Sequence, residues 1–180
     1  MNKLTADQRR LLYLISRKGR IREDNGNIIW LKELSLMTLI FEGISKRIFE
    51  NYDYAPSLVN FRGVKLYANV SQEYLLDIDT LIQRNFVAKL KLNTKYYDNI
   101  TAYSATSDFR KQEKDVPQET KDDINELMKC PKCTSIIKVL INNGKASIIC
   151  PDCDYSRTTR FFDIEIIPYH SVASFSGGGR

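Results

Sequence analysis

The chain has 180 residues, 43% hydrophobic and 27% charged, with a formal net charge of +5 and a pI near 9.0. That is enough apolar material for one ordinary packed domain plus a small one. No apolar run approaches the ~18 residues of a membrane span, so no membrane partner is expected, and the modest basicity permits nucleic acid as a partner without requiring it.

Residues 1 to 22 hold Lys3, Arg9, Arg10, Arg17, Lys18, Arg20 and Arg22 against Asp7 alone. Thr5 and Gln8 have the spacing of a capping box, Leu11, Leu14 and Ile15 mark a buried helix face, and Gly19 ends the helix. Arg10 and Arg17 are seven apart and share a similar face, a first candidate nucleic-acid surface that solubility alone would also explain. A second helix is predicted from about Trp30 to Glu50, because Trp30, Leu34, Met37, Phe41, Ile44 and Ile48 recur at steps of four and three. Leu31, Leu36, Leu39 and Ile40 widen that stripe. It serves either as a core helix of its own domain or as a partner-pairing face through Trp30, Met37, Phe41 and Ile44.

Asn51 to Gly63 reads as an aromatic and polar loop, Val64 to Ala68 as a strand, and Ser71 to about Asn85 as a third helix. Phe86 to Leu92 and Ile100 to Ala105 then read as two strands. Helices followed by a helix that feeds a two-stranded ribbon give the element order of a winged helix. The third helix carries Glu73, Asp77 and Asp79 against Arg84, which opposes close approach to a polyanion, so it is not expected to read bases. In the hairpin, Lys89, Lys91 and Lys95 could meet phosphates and Tyr96 could stack on a base, although solvated lysines fit the same pattern.

Asp108 to Lys129 mixes charges, is poor in apolar residues and contains Pro117; it reads as a charged, partly helical linker at a domain boundary. Beyond it lie the chain's only four cysteines, as Cys130-Pro131-Lys132-Cys133 and Cys150-Pro151-Asp152-Cys153. Each Cys-x-x-Cys turn aims two thiolates at one point, and the strand, turn and strand between them bring the turns together, which is the ligand set of one structural Zn(II) ion. Two disulfides, a rubredoxin-like iron site and a redox dithiol are the competing chemistries. Nothing at the N-terminus resembles a secretory signal, so an intracellular, reducing compartment is expected. Iron sites of this kind usually carry glycine after each second cysteine, where this chain has Thr134 and Asp154.

A third ribbon strand is expected from Arg157 to Ile167, with Phe162, Ile164 and Ile166 packing inward or on a partner. Lys145 and Arg157 give the ribbon a basic surface suited to nucleic acid or to docking on a large enzyme. The expected organisation is a helical, winged-helix domain (1–107), a linker (108–129), a four-cysteine ribbon (130–167) and an extended tail (168–180). The fold class is α+β, a winged-helix domain with a small C-terminal three-stranded zinc ribbon.

Leu81-Ile82-Gln83-Arg84-Asn85-Phe86-Val87, the following hairpin, and Ala102-Tyr103-Ser104-Ala105-Thr106 resemble the recognition-helix and wing segment of winged-helix proteins. Asn85 stands where glycine is common, and asparagine tolerates the left-handed conformation. In domain order and length the chain is similar to archaeal transcription factor E and its eukaryotic relatives. That resemblance implies an accessory factor of transcription or other nucleic-acid machinery, which binds a larger protein or complex and, weakly, nucleic acid. A structural adaptor without nucleic-acid binding is the alternative. Catalysis is not expected, nor is a small-molecule substrate. The chain has one histidine, His170, and a four-thiolate shell leaves no open metal position.

Overall fold

The computed structural model describes residues 4–20, 26–61, 63–94 and 97–164. Helix α1 (Ala6–Lys18) starts at the predicted capping box: the Thr5 hydroxyl accepts the Gln8 N–H and the Gln8 side chain accepts the Thr5 N–H, both at 3.1 Å. Gly19 ends it where another backbone comes close. Its carbonyl accepts the Ala105 N–H at 2.9 Å, and a Cβ at this position would lie 2.5 Å from the Tyr103 carbonyl oxygen.

Helix α2 is shorter than its apolar stripe. Leu31–Lys32 is a strand, β1, and the helix runs Glu33–Ser45, so Trp30 lies outside it. Its end is set by Arg47 at φ 59°, with Ile48 N–H bonded to Gly43 O and Arg47 N–H to Ile44 O. Those paired bonds form a Schellman ending built without glycine. Helix α3 (Gln72–Gln83) ends the same way: Asn85 has φ 58°, as its tolerance of that region predicted, and Phe86 N–H reaches Leu81 O.

The segment expected to be a loop before residue 64 is largely strand. β2 (Ala55–Phe61) and β3 (Val64–Val70) pair antiparallel from Ala55↔Val70 to Phe61↔Val64. Pro56 and Asn60 obscured this; in a two-stranded sheet every strand is an edge, so Pro56 removes no needed ladder bond. After α3 come β4 (Val87–Thr94) and β5 (Tyr97–Ala105), and β1 lies against β5 to give the order β1-β5-β4.

The expected linker is part of the core. It holds α4 (Ser107–Gln112), a 3-10 turn (Glu113–Asp115) and α5 (Gln118–Met128), and Phe109, Val116, Ile124, Leu127 and Met128 are buried. Few apolar residues occur there, but they fall on one face and meet α1. The three-stranded ribbon follows: β6 (Lys138–Asn142), β7 (Lys145–Ile149) and β8 (Ser156–Thr158), in the order β6-β7-β8. Its turn has Asn143 at φ 48° and Gly144 at φ 70°, the pair of positive values that a type I′ hairpin demands.

β8 ends nine residues before the expected strand end at Ile167, and residues 165–180, including the predicted tail, lie outside the described residues. The chain turns at Arg160–Phe162 instead of extending, so Phe161 rather than Phe162 goes inside. Phe161 is fully buried, with its ring 6.1 Å from that of Phe41; Phe162 is half-buried. Burying a phenylalanine of this kind is worth about 2–3 kcal/mol. Asn69 fastens the turn from β3, its N–H donating to Phe161 O at 2.8 Å and its side-chain amide to Arg160 O at 3.1 Å. One apolar cluster therefore runs from Leu11, Leu14 and Ile40 through Leu127 to Ile137, Ile148 and Phe161. Among the described residues, no helix is long and apolar enough to cross a membrane.

Candidate metal centre

The two Cys-x-x-Cys turns are built alike. In the first, Cys130 N–H donates to Ser135 O at 2.8 Å and the Lys132 N–H points at Cys130 Sγ at 3.4 Å. In the second, Cys150 N–H donates to Tyr155 O at 2.9 Å and the Asp152 N–H points at Cys150 Sγ at 3.4 Å. The hairpin β6–β7 brings the two turns face to face. All four sulfurs lie within 4.8 Å of one another, with Cys130 to Cys153 at 3.6 Å and Cys133 to Cys150 at 3.4 Å. A tetrahedral shell with metal–sulfur bonds of about 2.3 Å sets its sulfurs about 3.8 Å apart, so this cluster offers one metal ion its four donors and fits zinc.

The electrostatics agree. Hydrogen bonds from the Ser135 N–H and hydroxyl, then Cys150, bring the Cys133 thiol down to about 6. Burial raises Cys150. Against the lowering pull of the Tyr155 N–H, burial and the three neighbouring thiols push Cys153 up to about 12. Four sulfurs this close resist joint ionisation, and a divalent cation reverses that preference. Thr134 has φ 67°, the left-handed conformation usually supplied by glycine. The missing glycine is therefore no argument against iron, and metal identity rests on the chemistry of the donor set alone.

The other predicted residues are less uniformly placed. Arg10 is 8% exposed and held by Asp7 at 3.1 Å and Asp123 at 2.9 Å, so its charge is committed within the chain. The acidic character of residues 118–128, read as linker charge, is partly the counter-charge for this arginine. Arg17 is half-buried. Arg157 is committed to Glu42 at 2.6 Å, a carboxylate buried on α2, so it ties the ribbon to the helix instead of facing solvent alone. Lys89 and Lys91 on β4 and Lys145 on β7 are exposed, and the Lys89 ammonium sits 5.8 Å from the Tyr103 ring centroid. Lys95 and Tyr96 lie outside the described residues.

Of the predicted protein contacts, Met37 and Phe41 are 8% and 6% exposed within the chain's own core, whereas Trp30, Ile44 and Phe162 are half-buried. The carboxylates of α3 are also partly spoken for. Asp77 accepts from Gln8 at 2.7 Å and from the Tyr52 hydroxyl at 2.8 Å, while Glu73 accepts from the Ser71 hydroxyl at 2.8 Å. Burial, then Asp77, raises the Tyr52 phenol.

Sequence reasoning missed a cleft of about 620 Å³ beside the first turn, between the ends of α2 and α5 and the ribbon. Glu42, Lys46, Lys129, Tyr155 and Arg157 line it with Cys130. Lys129, Pro131 and Thr134 beside the first turn, and Tyr155 two residues past Cys153, had positions that pointed to the metal region.

Fold and site together define an α+β protein with a four-cysteine centre able to hold one metal ion. A family model described as the uncharacterized protein MJ1567 family matches residues 7–158, and the chain belongs to that family. No curated protein matches it.

Proposed function

We propose that this is a non-enzymatic, zinc-containing accessory factor of transcription or other nucleic-acid machinery, working inside the cell by binding a larger protein and, weakly, nucleic acid. The sheet order β1-β5-β4 carries the reading. Without the β2–β3 hairpin, the order is helix, strand, helix, helix and a two-stranded ribbon, with the first strand lying beside the last, which supports a winged-helix reading. On this reading β2–β3 is an insertion between the second and third helices. The reading also draws on the resemblance of domain order to transcription factor E seen in the sequence. Zinc is the expected ion because four thiolates in a closed shell suit a structural, redox-inert metal. Such a shell offers no position for a catalytic water.

The adaptor reading has its own support in the β2–β3 hairpin, where the cross-strand pair Leu58 and Tyr67 is 57% and 44% exposed. Titration of the zinc-loaded protein into labelled single- and double-stranded nucleic acid over a range of salt separates the two. Binding that weakens steeply with salt supports the accessory factor; no binding at low salt leaves the adaptor. Elemental analysis of the purified protein should return one zinc per chain, and iron instead would overturn the metal assignment.

A further inference from the structure

The cleft beside the first cysteine turn joins two lysines, an aromatic ring and apolar walls next to the sulfur cluster. Lys46 comes from the C-terminal end of α2 and Lys129 from the C-terminal end of α5; both are exposed, and both line the cleft. Its apolar walls include Pro131, Ile137 and the half-buried Tyr155. Two carboxylates are present, Glu42 and Glu126, but Glu42 is neutralised by Arg157 at 2.6 Å. Two lysines therefore stand against one free-standing carboxylate. An aromatic ring near paired cations is the combination that holds single-stranded nucleic acid, with stacking for the base and charge for the backbone. A volume of about 620 Å³ falls in the range of small-molecule sites and accommodates a nucleotide unit.

We infer that this cleft binds a nucleotide unit of a single-stranded nucleic acid, with Lys46 and Lys129 meeting its phosphates and Tyr155 its base. This rests on the nucleic-acid reading of the protein but moves the contact from the wing to the junction of body and ribbon. It also links binding to the metal, because Cys130 and Pro131 belong to both the cleft and the first turn. The shape discriminates against duplex, whose bases are stacked away from any ring.

The test uses the full-length, metal-loaded protein and a fluorescent oligouridylate, read by anisotropy at several salt concentrations. Lys46→Ala/Lys129→Ala should weaken binding at least tenfold and flatten the log–log salt slope by about 1.4, two contacts at about 0.7 each for a single strand. Lys89→Ala/Lys91→Ala should change neither. Tyr155→Leu should weaken binding without altering the slope, with circular dichroism and metal content confirming that each variant is folded. Loss through the wing pair with the cleft pair unaffected overturns this inference and leaves the proposed function standing. No binding by the unaltered protein overturns both. Competition by polyglutamate as effective as by unlabelled oligouridylate also overturns it, since an acidic peptide then satisfies the lysines equally well.

Discussion

The helical body and the ribbon hold their shapes by different means. The body closes on itself, with Leu11, Leu14, Leu36 and Ile40 at 1% exposure or less and side chains of α1, α2, α3 and α5 filling one interior. The ribbon has a sulfur cluster at one end and a docked face along one side, with Ile137, Ile148 and Phe161 entering the body's core. A four-cysteine hairpin reads in sequence as an autonomous module; here it is a lid on a larger core. Its metal and its docking contacts should therefore stabilise different things, and mutants can separate them.

Metal removal should have the largest effect. Structural zinc contributes on the order of 10 kcal/mol to the folding of small metal modules. Chelation or Cys133→Ser should melt the ribbon, and hydrogen exchange should show the loss reaching into the body at the Asn69 amide, which donates to Phe161 O. Retained protection at Asn69 would mean that the turn at 160–162 stays docked without the metal. Phe161→Ala comes next, at about 3–5 kcal/mol by chemical denaturation. Phe162→Ala should cost far less, and equal costs would contradict the inward placement of Phe161. Arg157→Ala leaves Glu42 buried without its partner. Because Arg157 is itself about half exposed, solvent screening brings the expected cost down to about 1–2 kcal/mol, partly recovered by adding Glu42→Gln. Thr5→Ala removes one half of the capping box and should cost about 1 kcal/mol while leaving metal content unchanged.

A pH slope tests the same junction by a separate route. Lys18 on α1 donates to Ile137 O, and burial, helped by Lys138 and Arg17, brings its amine down from 10.5 to about 8. The unfolded chain therefore holds this proton more tightly than the folded one. The penalty is fully present below pH 8 and is relieved as pH rises from 8 towards 10.5, so the metal-loaded protein should gain stability on that limb. Lys18→Met should abolish the gain; a slope that survives the substitution belongs to another group.

The elements legible in sequence were those whose signals are local. The capping box of α1, the Asn143-Gly144 turn and the left-handed Asn85 each follow from a few adjacent residues. The end of α2 was not legible, because Arg47 adopts a positive φ that nothing about arginine announces, and the apolar stripe runs past both helix ends. β2 was hidden by Pro56 and Asn60, which cost little only because the strand is an edge. At the site the same division holds. Four cysteines name their own geometry, whereas a charge does not name its partner. Arg10 has Asp7 three residues away, but its second counter-ion, Asp123, and the Glu42 that holds Arg157 lie 113 and 115 positions away, so both arginines read as surface charge.

That last separation has a consequence for how the chain is made. Glu42 waits for Arg157, and Phe41 for Phe161, so a polypeptide leaving the ribosome at roughly 5–20 residues per second carries an open-sided body for about 6–23 seconds. During that interval the seat later filled by Phe161 faces water. Nascent chains stalled before residue 157 should therefore engage hydrophobic-surface chaperones, and chains released past residue 161 with metal available should let them go.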